Sequence, residues 1–163
     1  MFFHCFIFFS FFFLAASSSS CPGSNTWKTN CYVFGTEKLE FLKADTTCIR
    51  KGGHLASIHD FYEDDVIGQA AEFAYHSRTD FWIGAYRSGS GAWKWTDGSN
   101  FNNFTYWATG EPSNLAGNGC AIMSYYDWNW KTEGCTSVKS YVCAIPIPNL
   151  KPSRLNRLMH LIK

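Results

Sequence analysis

The sequence lacks the features that mark several common functional classes. After its first residues it has no apolar run near the roughly 20 residues that a membrane-spanning helix needs. It has no His-Glu-x-x-His motif, and no Ser or Cys motif accompanies His54 and His59. Because no nucleophile, base and orienting group can be named together, we predict that the protein is not an enzyme.

A strong charge of one sign is also missing, since 14 Lys and Arg residues face 13 Asp and Glu residues. Four of the basic residues lie in a C-terminal segment without acids, namely Lys151, Arg154, Arg157 and Lys163. Without those four, ten basic residues face the 13 acidic ones, so the rest of the chain is mildly acidic. Nucleic-acid binding needs a basic face, and we therefore expect no nucleic acid among the partners.

The first 20 residues predict a secretory signal peptide. Residues 2–14 are almost entirely apolar, and small residues follow them, which places cleavage between Ala16 and Ser20. No Lys or Arg precedes the apolar run, and an uncleaved anchor is the alternative, although the run is short for one. We expect a secreted, extracellular protein.

Cleavage would remove Cys5 and leave Cys21, Cys31, Cys48, Cys120, Cys135 and Cys143. An even number of cysteines in a secreted chain predicts three disulfides. A zinc site is the alternative, but no close Cys-x-x-Cys pair is present. Spacing alone does not select the pairing.

Apolar periodicity predicts two helices. One covers residues 39–51 and stops at Gly52, and the other begins at an Asp60-x-x-Glu63 capping box and ends near Tyr75. Strands are predicted at residues 32–34, 55–58, 81–85, 93–95, 120–123 and 141–145.

The stretch of residues 96–119 is rich in Gly, Asn, Ser, Thr and Pro, and a loop of that length is usually functional. Within it, residues 107–114 carry the carboxylate of Glu111 next to Pro112 and several short oxygen-bearing side chains. Such oxygens can converge on a metal ion or a sugar hydroxyl. The proline fixes the backbone beside the carboxylate, so less entropy is lost on binding.

Residues 148–163 form a basic C-terminal tail after the domain. Leu155, Leu158, Met159 and Ile162 follow helical spacing, but a frayed terminus is the simpler interpretation. Contact of an amphipathic helix with an anionic membrane or a partner is the alternative.

Motifs in a characteristic order are Cys21-Pro22, Cys31-Tyr32, Gly53-His54-Leu55-Ala56-Ser57-Ile58, Trp82-Ile83-Gly84, Trp95-Thr96-Asp97-Gly98-Ser99 and Trp107-x-x-Gly110-Glu111-Pro112, closed by Cys120, Cys135 and Cys143. With them, residues 21–147 resemble a C-type lectin-like domain of the long, three-disulfide form. The resemblance implies an α+β fold with two helices, two small antiparallel sheets and a long binding loop. It also implies the disulfides Cys21–Cys31, Cys48–Cys143 and Cys120–Cys135.

Sugar-binding members of this family hold calcium with a Glu-Pro-Asn or Gln-Pro-Asp motif, an acid shortly before the next cysteine, and an Asn-Asp pair after a tryptophan. Glu111 matches the first ligand, whereas Ser113 stands where Asn or Asp is expected. Asn118 stands at the place of the acid, and Lys131 and Thr132 replace the Asn-Asp pair. Calcium prefers six to eight oxygens, so a degenerate site with at most Glu111 and Asn118 as metal ligands is expected.

This comparison gives two further expectations for the site. The Lys131 ammonium beside Glu111 could form an ion pair in the place of calcium. Alternatively, a strand register shifted by two residues would bring Asn129, near Asp127, into the ligand position.

The resemblance implies a secreted carbohydrate-binding module, with glycans or a glycoprotein or protein surface as partners. The candidate ligand-binding residues are Glu111, Ser113, Asn114, Asn118, Lys131 and Thr132. A calcium-independent protein-binding module and a structural secreted protein without a specific small ligand are the alternatives.

Single residues carry smaller predictions. Asn103 begins a glycosylation sequon, Glu63 is expected only to cap its helix, and Pro112 is expected to follow a cis peptide bond as in the family. Core positions are predicted for Trp82, Trp93, Trp95 and Trp107. Exposed stacking or ordinary packing is predicted for Tyr125, Tyr126 and Trp128.

Overall fold

The computed structural model describes residues 25–101, 104–114 and 117–147. Its elements are β1 (Thr26–Trp27), β2 (Asn30–Leu39), α1 (Phe41–Arg50), β3 (His54–Leu55), α2 (Phe61–Ala74), β4 (Phe81–Tyr86), β5 (Lys94–Trp95), β6 (Asn118–Met123), β7 (Trp130–Gly134) and β8 (Lys139–Pro146). The predicted signal peptide, Cys21, the Asn103 sequon and the basic tail lie outside the described residues.

The strands form one connected sheet rather than the two separate antiparallel sheets that we expected. Its order is β1-β2-β8-β4-β6-β7, with β3 added on β8 and β5 on β4. The pairs are antiparallel except β4 with β8, where Phe81 pairs with Ser140 and Trp82 with Tyr141. Strand β4 can take this central place because its apolar run is buried from Phe81 to Ala85.

Strand β2 is longer than the strand predicted at residues 32–34, and it continues through Gly35. A Cβ atom at Gly35 would lie 2.2 Å from the Tyr141 ring, so the glycine lets the ring of β8 cross the strand. The strand continues to Leu39, which pairs with Lys139, and α1 therefore begins only at Phe41.

Helix α2 confirms the predicted N-terminus, since the Asp60 side chain accepts a hydrogen bond from the Glu63 backbone N–H at 2.9 Å. The prediction that Glu63 only caps the helix is wrong. The residue is 3% exposed, and its carboxylate accepts hydrogen bonds from the His59 backbone N–H at 2.8 Å and from the Tyr32 hydroxyl. Glu63 thus joins the helix to strand β2.

Two predicted disulfides are confirmed. Cys48–Cys143 joins α1 to β8, and Cys120–Cys135 closes the β6–β7 hairpin. Cys31 is also disulfide-bonded, and its predicted partner Cys21 lies outside the described residues.

The tryptophans that were predicted as core residues are buried or packed against the core. Trp82 and Trp95 are at most 2% exposed, and Trp93 and Trp107 are partly buried against the same core. Trp130, which directly precedes Lys131, is completely buried. Within the part of the chain that the structure describes, no helix has the length and apolar character needed to cross a membrane.

Candidate functional site

The loop of residues 107–114 is attached to strand β7 by backbone hydrogen bonds. The Ala108 N–H donates to the Trp130 carbonyl at 2.9 Å, and the Trp130 N–H donates to the Tyr106 carbonyl at 2.7 Å. The Trp107 ring lies 5.6 Å from the Trp130 ring and 4.8 Å from the Trp93 ring. The start of the loop is therefore packed against two tryptophan rings, and the Glu-Pro unit follows it in the chain.

The Glu111 carboxylate is held by donors from its own loop and from β7. Its Oε2 atom accepts hydrogen bonds from the Thr132 hydroxyl at 2.5 Å, the Ser113 backbone N–H at 2.7 Å and the Thr132 backbone N–H at 3.1 Å. Partial burial would raise the pKa of this carboxyl, but the bonds from Thr132 and Ser113 outweigh it and hold the pKa below its usual range. Glu111 is therefore ionised at neutral pH.

The expected ion pair between Lys131 and Glu111 is not formed. The Lys131 ammonium donates to the Ser124 hydroxyl at 3.2 Å, and no ion pair among the described residues includes Glu111. Successive side chains of a strand point to opposite faces, so Thr132 reaches the loop whereas Lys131 faces away from it. The charge of Lys131 makes only the smallest contribution to the pKa of Glu111.

Arg87, which the sequence analysis missed, holds the other end of the loop. Its guanidinium donates to the Asn114 side-chain oxygen at 2.9 Å and also to the Ser113 carbonyl. It lies 5.1 Å from the centre of the Trp93 ring, within the range of a cation–π contact. No local pattern could have revealed it, because 26 and 27 residues separate Arg87 from its two partners.

The predicted site residues are thus only partly brought together. Glu111, Ser113 and Thr132 form one hydrogen-bonded group, and Asn114 joins it through Arg87. Lys131 faces Ser124. Asn118 begins β6 opposite Gly134, and its side chain lies outside what the structure describes.

Two predictions about the surroundings of the loop are decided by the backbone. The Glu111–Pro112 peptide bond is cis, as the family resemblance implied. The alternative register that would use Asn129 is wrong, because Thr132 pairs with Ala121 and itself reaches Glu111. Tyr126 is 77% exposed, whereas the Trp128 ring packs against Gly68 of α2.

The described groups around Glu111 do not fit a calcium ion. A calcium site needs six to eight oxygen ligands and usually several carboxylates. Here one carboxylate is surrounded by N–H and O–H donors, which compete for the lone pairs that a metal would use. Among the residues that the structure describes, no group of three His, Cys, Asp or Glu side chains could hold a metal ion.

A second carboxylate, Asp64 of α2, lies beneath the site. It is 1% exposed and accepts a hydrogen bond from the Trp130 indole N–H at 2.7 Å. Burial is the main cause that raises its pKa to about 7, and the bond from Trp130 opposes the shift. Asp64 was not singled out from the sequence, because an acid in the first turn of a helix is usually exposed.

Comparison with known proteins identifies the family to which this architecture belongs. The lectin C-type domain model matches residues 37–145. The galactose-specific lectin nattectin of Thalassophryne nattereri is 32% identical over 131 residues, which cover 78% of this chain and 82% of that protein. A perlucin-like protein of Mytilus galloprovincialis is 28% identical over 144 residues, covering 83% of this chain and 92% of the relative.

Solved structures give the same result. Human lithostathine superposes with a TM-score of 0.72 at 24% identity, covering 77% of this chain and 99% of that one. A calcium-independent type II antifreeze protein superposes with a TM-score of 0.67 at 28% identity, covering 78% and 95%. The fold is that of a non-enzymatic, lectin-like recognition module. The chain belongs to the C-type lectin family.

Proposed function

We propose that this protein is secreted and binds glycans through the loop of residues 107–114 without calcium. The observation that carries the proposal is the Glu111 carboxylate, which is held by Thr132 and Ser113 in place of a metal. Arg87 fixes the same loop from the opposite end. A loop that is ordered before binding loses less entropy when a ligand arrives.

The loop keeps polar groups available for a sugar. Glu111 accepts all three bonds on Oε2, so among the described residues its Oε1 atom accepts none. Asn114 is exposed, and its side-chain oxygen is occupied by Arg87, which leaves the amide N–H groups as donors. One charged acceptor and one donor in the same loop match neighbouring hydroxyls, each of which can donate and accept.

The relatives support the ligand class and the absence of calcium separately. Nattectin is described as a galactose-specific lectin, which supports a sugar as the ligand. The antifreeze relative is described as calcium-independent, which supports a domain of this fold without the metal. Secretion is supported by the signal-peptide pattern of residues 1–20 and by two disulfides in the described domain.

A glycan array, probed with calcium and with excess chelator, tests the proposal. We expect the same glycans to bind under both conditions. Glu111→Ala should weaken binding at least tenfold, because a hydrogen bond to a charged group contributes about 1.5–3 kcal/mol, and Asn114→Ala should weaken it about two- to tenfold, because a neutral hydrogen bond contributes about 0.5–1.5 kcal/mol. Glu72→Gln on the exposed surface of α2 is the matched control and should bind normally. Binding that disappears with chelator would contradict the calcium-free mechanism.

One observation favours recognition of a protein surface as a second candidate. Phe61 and Tyr62 are 52% and 67% exposed, and Tyr62 stacks on Trp27 at 5.9 Å. Exposed aromatic patches often mark protein interfaces. Two results together would favour this candidate. The array would show no glycan binding, and a purified protein partner would bind less tightly to Tyr62→Ser but as tightly as before to the exposed control Phe73→Ser.

A further inference from the structure

Helix α2 has an outer face that combines an exposed aromatic ring with acids. Its inner face buries Ile67, Gly68 and Ala71. The outer face, called here the Phe73 face, lies on one side of the helix by its spacing and consists of Asp65, Gln69, Glu72 and Phe73. Phe73 is 84% exposed, more than any other large apolar side chain in the described part of the chain. One exposed ring is ordinary by itself, so its occupant must be argued from the charges around it.

The charges of the Phe73 face are negative and carry no counter-charge. Neither Asp65 nor Glu72 has an ion-pair partner among the residues that the structure describes, and α2 contains no Lys or Arg. Asp65 accepts a hydrogen bond from the uncharged Gln69 side chain at 2.8 Å. A segment with both basic and apolar side chains therefore complements this face.

Helix α1 also exposes apolar side chains, but its charges have the opposite sign. Leu42 is 74% exposed and Ile49 is 50% exposed. The exposed charged residues of this helix are Lys43 and Arg50, whereas its acid, Asp45, is buried. Because like charges disfavour contact, a basic segment would prefer α2 to α1.

Residues 148–163 have the composition that complements the Phe73 face. They contain no acid, and their basic residues are Lys151, Arg154, Arg157 and Lys163. Their apolar residues at helical spacing are Leu155, Leu158, Met159 and Ile162. This segment lies outside the described residues, but the point at which it leaves the domain is described.

The segment leaves the domain near the start of α2. The Ile147 N–H donates to the carbonyl of Thr29, in the turn between β1 and β2, at 2.7 Å. Two residues before Thr29, the Trp27 ring stacks on the ring of Tyr62 in the first turn of α2 at 5.9 Å.

The length of the segment allows it to reach the Phe73 face. Residues 148–154 can span about 23 Å, and α2, with 14 residues, is about 21 Å long. A short tether also raises the effective concentration of a segment to about the millimolar range, so weak contacts are sufficient to hold it.

We infer that residues 148–163 bind the Phe73 face of their own molecule. Their apolar side chains cover Phe73, and their basic side chains lie beside Asp65 and Glu72. The inference goes beyond the proposed function and does not depend on it, since none of these residues belongs to the Glu111 loop.

Zero-length carbodiimide cross-linking of the secreted chain, read by mass spectrometry, tests the inference. The reagent joins a lysine amine to a carboxylate that contacts it, and we expect Lys151 or Lys163 to be joined to Asp65 or Glu72. The ion pairs Lys28–Asp60 at 2.5 Å and Lys139–Glu133 at 3.0 Å are internal positive controls. In an equal mixture of nitrogen-15-labelled and unlabelled chains, the links should join residues of one molecule, with a yield that does not change on dilution.

Phe73→Ser tests the apolar part of the contact while leaving both carboxylates in place. We expect it to lower the yield of the tail links at least about threefold, because the tail would lose the burial of an aromatic ring. Leu42→Ser, at a similarly exposed apolar side chain of α1, is the matched control and should leave the yield unchanged.

Four results would overturn the inference. The tail lysines might link to no carboxylate of α2 while the Lys28–Asp60 link forms, or they might link as often to Glu37 and Glu40 beside α1. Phe73→Ser might leave the yield unchanged. Links between a labelled and an unlabelled chain would make a second copy, rather than the same molecule, the source of the bound segment.

Discussion

Glu111 and Asp64 are two carboxylates that contact the same strand, β7, and have opposite electrostatic behaviour. The outer one, Glu111, is partly exposed and has three donors, so its pKa is lowered. The inner one, Asp64, is buried with one donor from Trp130, so its pKa is raised to about 7. Donor number and burial, rather than residue type, determine which acid stays charged.

The comparison also explains how one strand serves both acids. Trp130 and Thr132 are two residues apart and therefore lie on the same face of β7, whereas Lys131 points to the other face. Trp130 extends to the helix and Thr132 to the loop. The buried acid thus supports the tryptophan rings under the loop, whereas the outer acid is the one that we propose to contact a ligand.

The largest effect is expected from Trp130→Phe, which removes the single donor of Asp64 and leaves a buried acceptor without a partner. Together with the smaller ring, we expect a loss of about 3 kcal/mol in the free energy of unfolding. Urea denaturation measures it, and Trp107→Phe, at a partly exposed ring, is the control with a smaller loss. A change below about 0.5 kcal/mol would show that the bond to Asp64 is unimportant.

Asp64 predicts how stability depends on pH. Its pKa is about 7 in the folded protein against an ordinary value of 3.8, so the folded state holds the proton more tightly. This contribution is complete below pH 3.8 and is lost as the pH rises through 7. We expect stability to increase by about 1–3 kcal/mol when the pH falls from 8 to 5.

Asp64→Asn removes the titrating group and is the test of that pH dependence. Denaturation curves of this variant should give nearly the same stability at both pH values, whereas Glu72→Gln, at an exposed acid of the same helix, should keep the dependence of the parent protein. An undiminished slope in Asp64→Asn would assign the pH dependence to another group.

Changes at the outer carboxylate, Glu111, should have a smaller effect on stability, and a double-mutant cycle measures it. Thr132→Val removes the hydroxyl that donates to Glu111 while keeping the side-chain shape, and Glu111→Gln removes the charge. We expect each change to cost about 1 kcal/mol and the pair to show a coupling near 1 kcal/mol, since the site is partly exposed. Independent effects in the double variant would mean that Thr132 does not hold Glu111.

The smallest stability change is expected for Arg87→Met, because the bonds to Ser113 and Asn114 lie near the surface. We expect less than about 1 kcal/mol of lost stability but at least a tenfold loss of glycan affinity, as the loop would no longer be fixed at that end. Arg78→Met, at an exposed position after α2, is the matched control. Equal affinity in both variants would show that Glu111 alone orders the loop.

The fold could be predicted well from the sequence because its signals are local or come from family motifs. The capping box at Asp60 and the cysteine pairs Cys48–Cys143 and Cys120–Cys135 were predicted and are confirmed. The single mixed sheet was not predicted, since the parallel contact of β4 with β8 joins segments far apart in the chain.

The site could be predicted only in part, for a similar reason. Glu111 follows from its motif, but the partner on β7 depends on which face each side chain takes. A difference of one residue decides between Lys131 and Thr132. Arg87 and Asp64 act through contacts of 26 to 66 residues in separation, which no local pattern reports.

We propose that protein donors replace calcium at Glu111 in a site that still binds sugar. The most direct test is the dissociation constant of one array-selected glycan, measured on the same sample with calcium and then with excess chelator. We expect the same dissociation constant in both conditions and a larger dissociation constant for Glu111→Ala. Loss of binding with chelator, restored by added calcium, would contradict it.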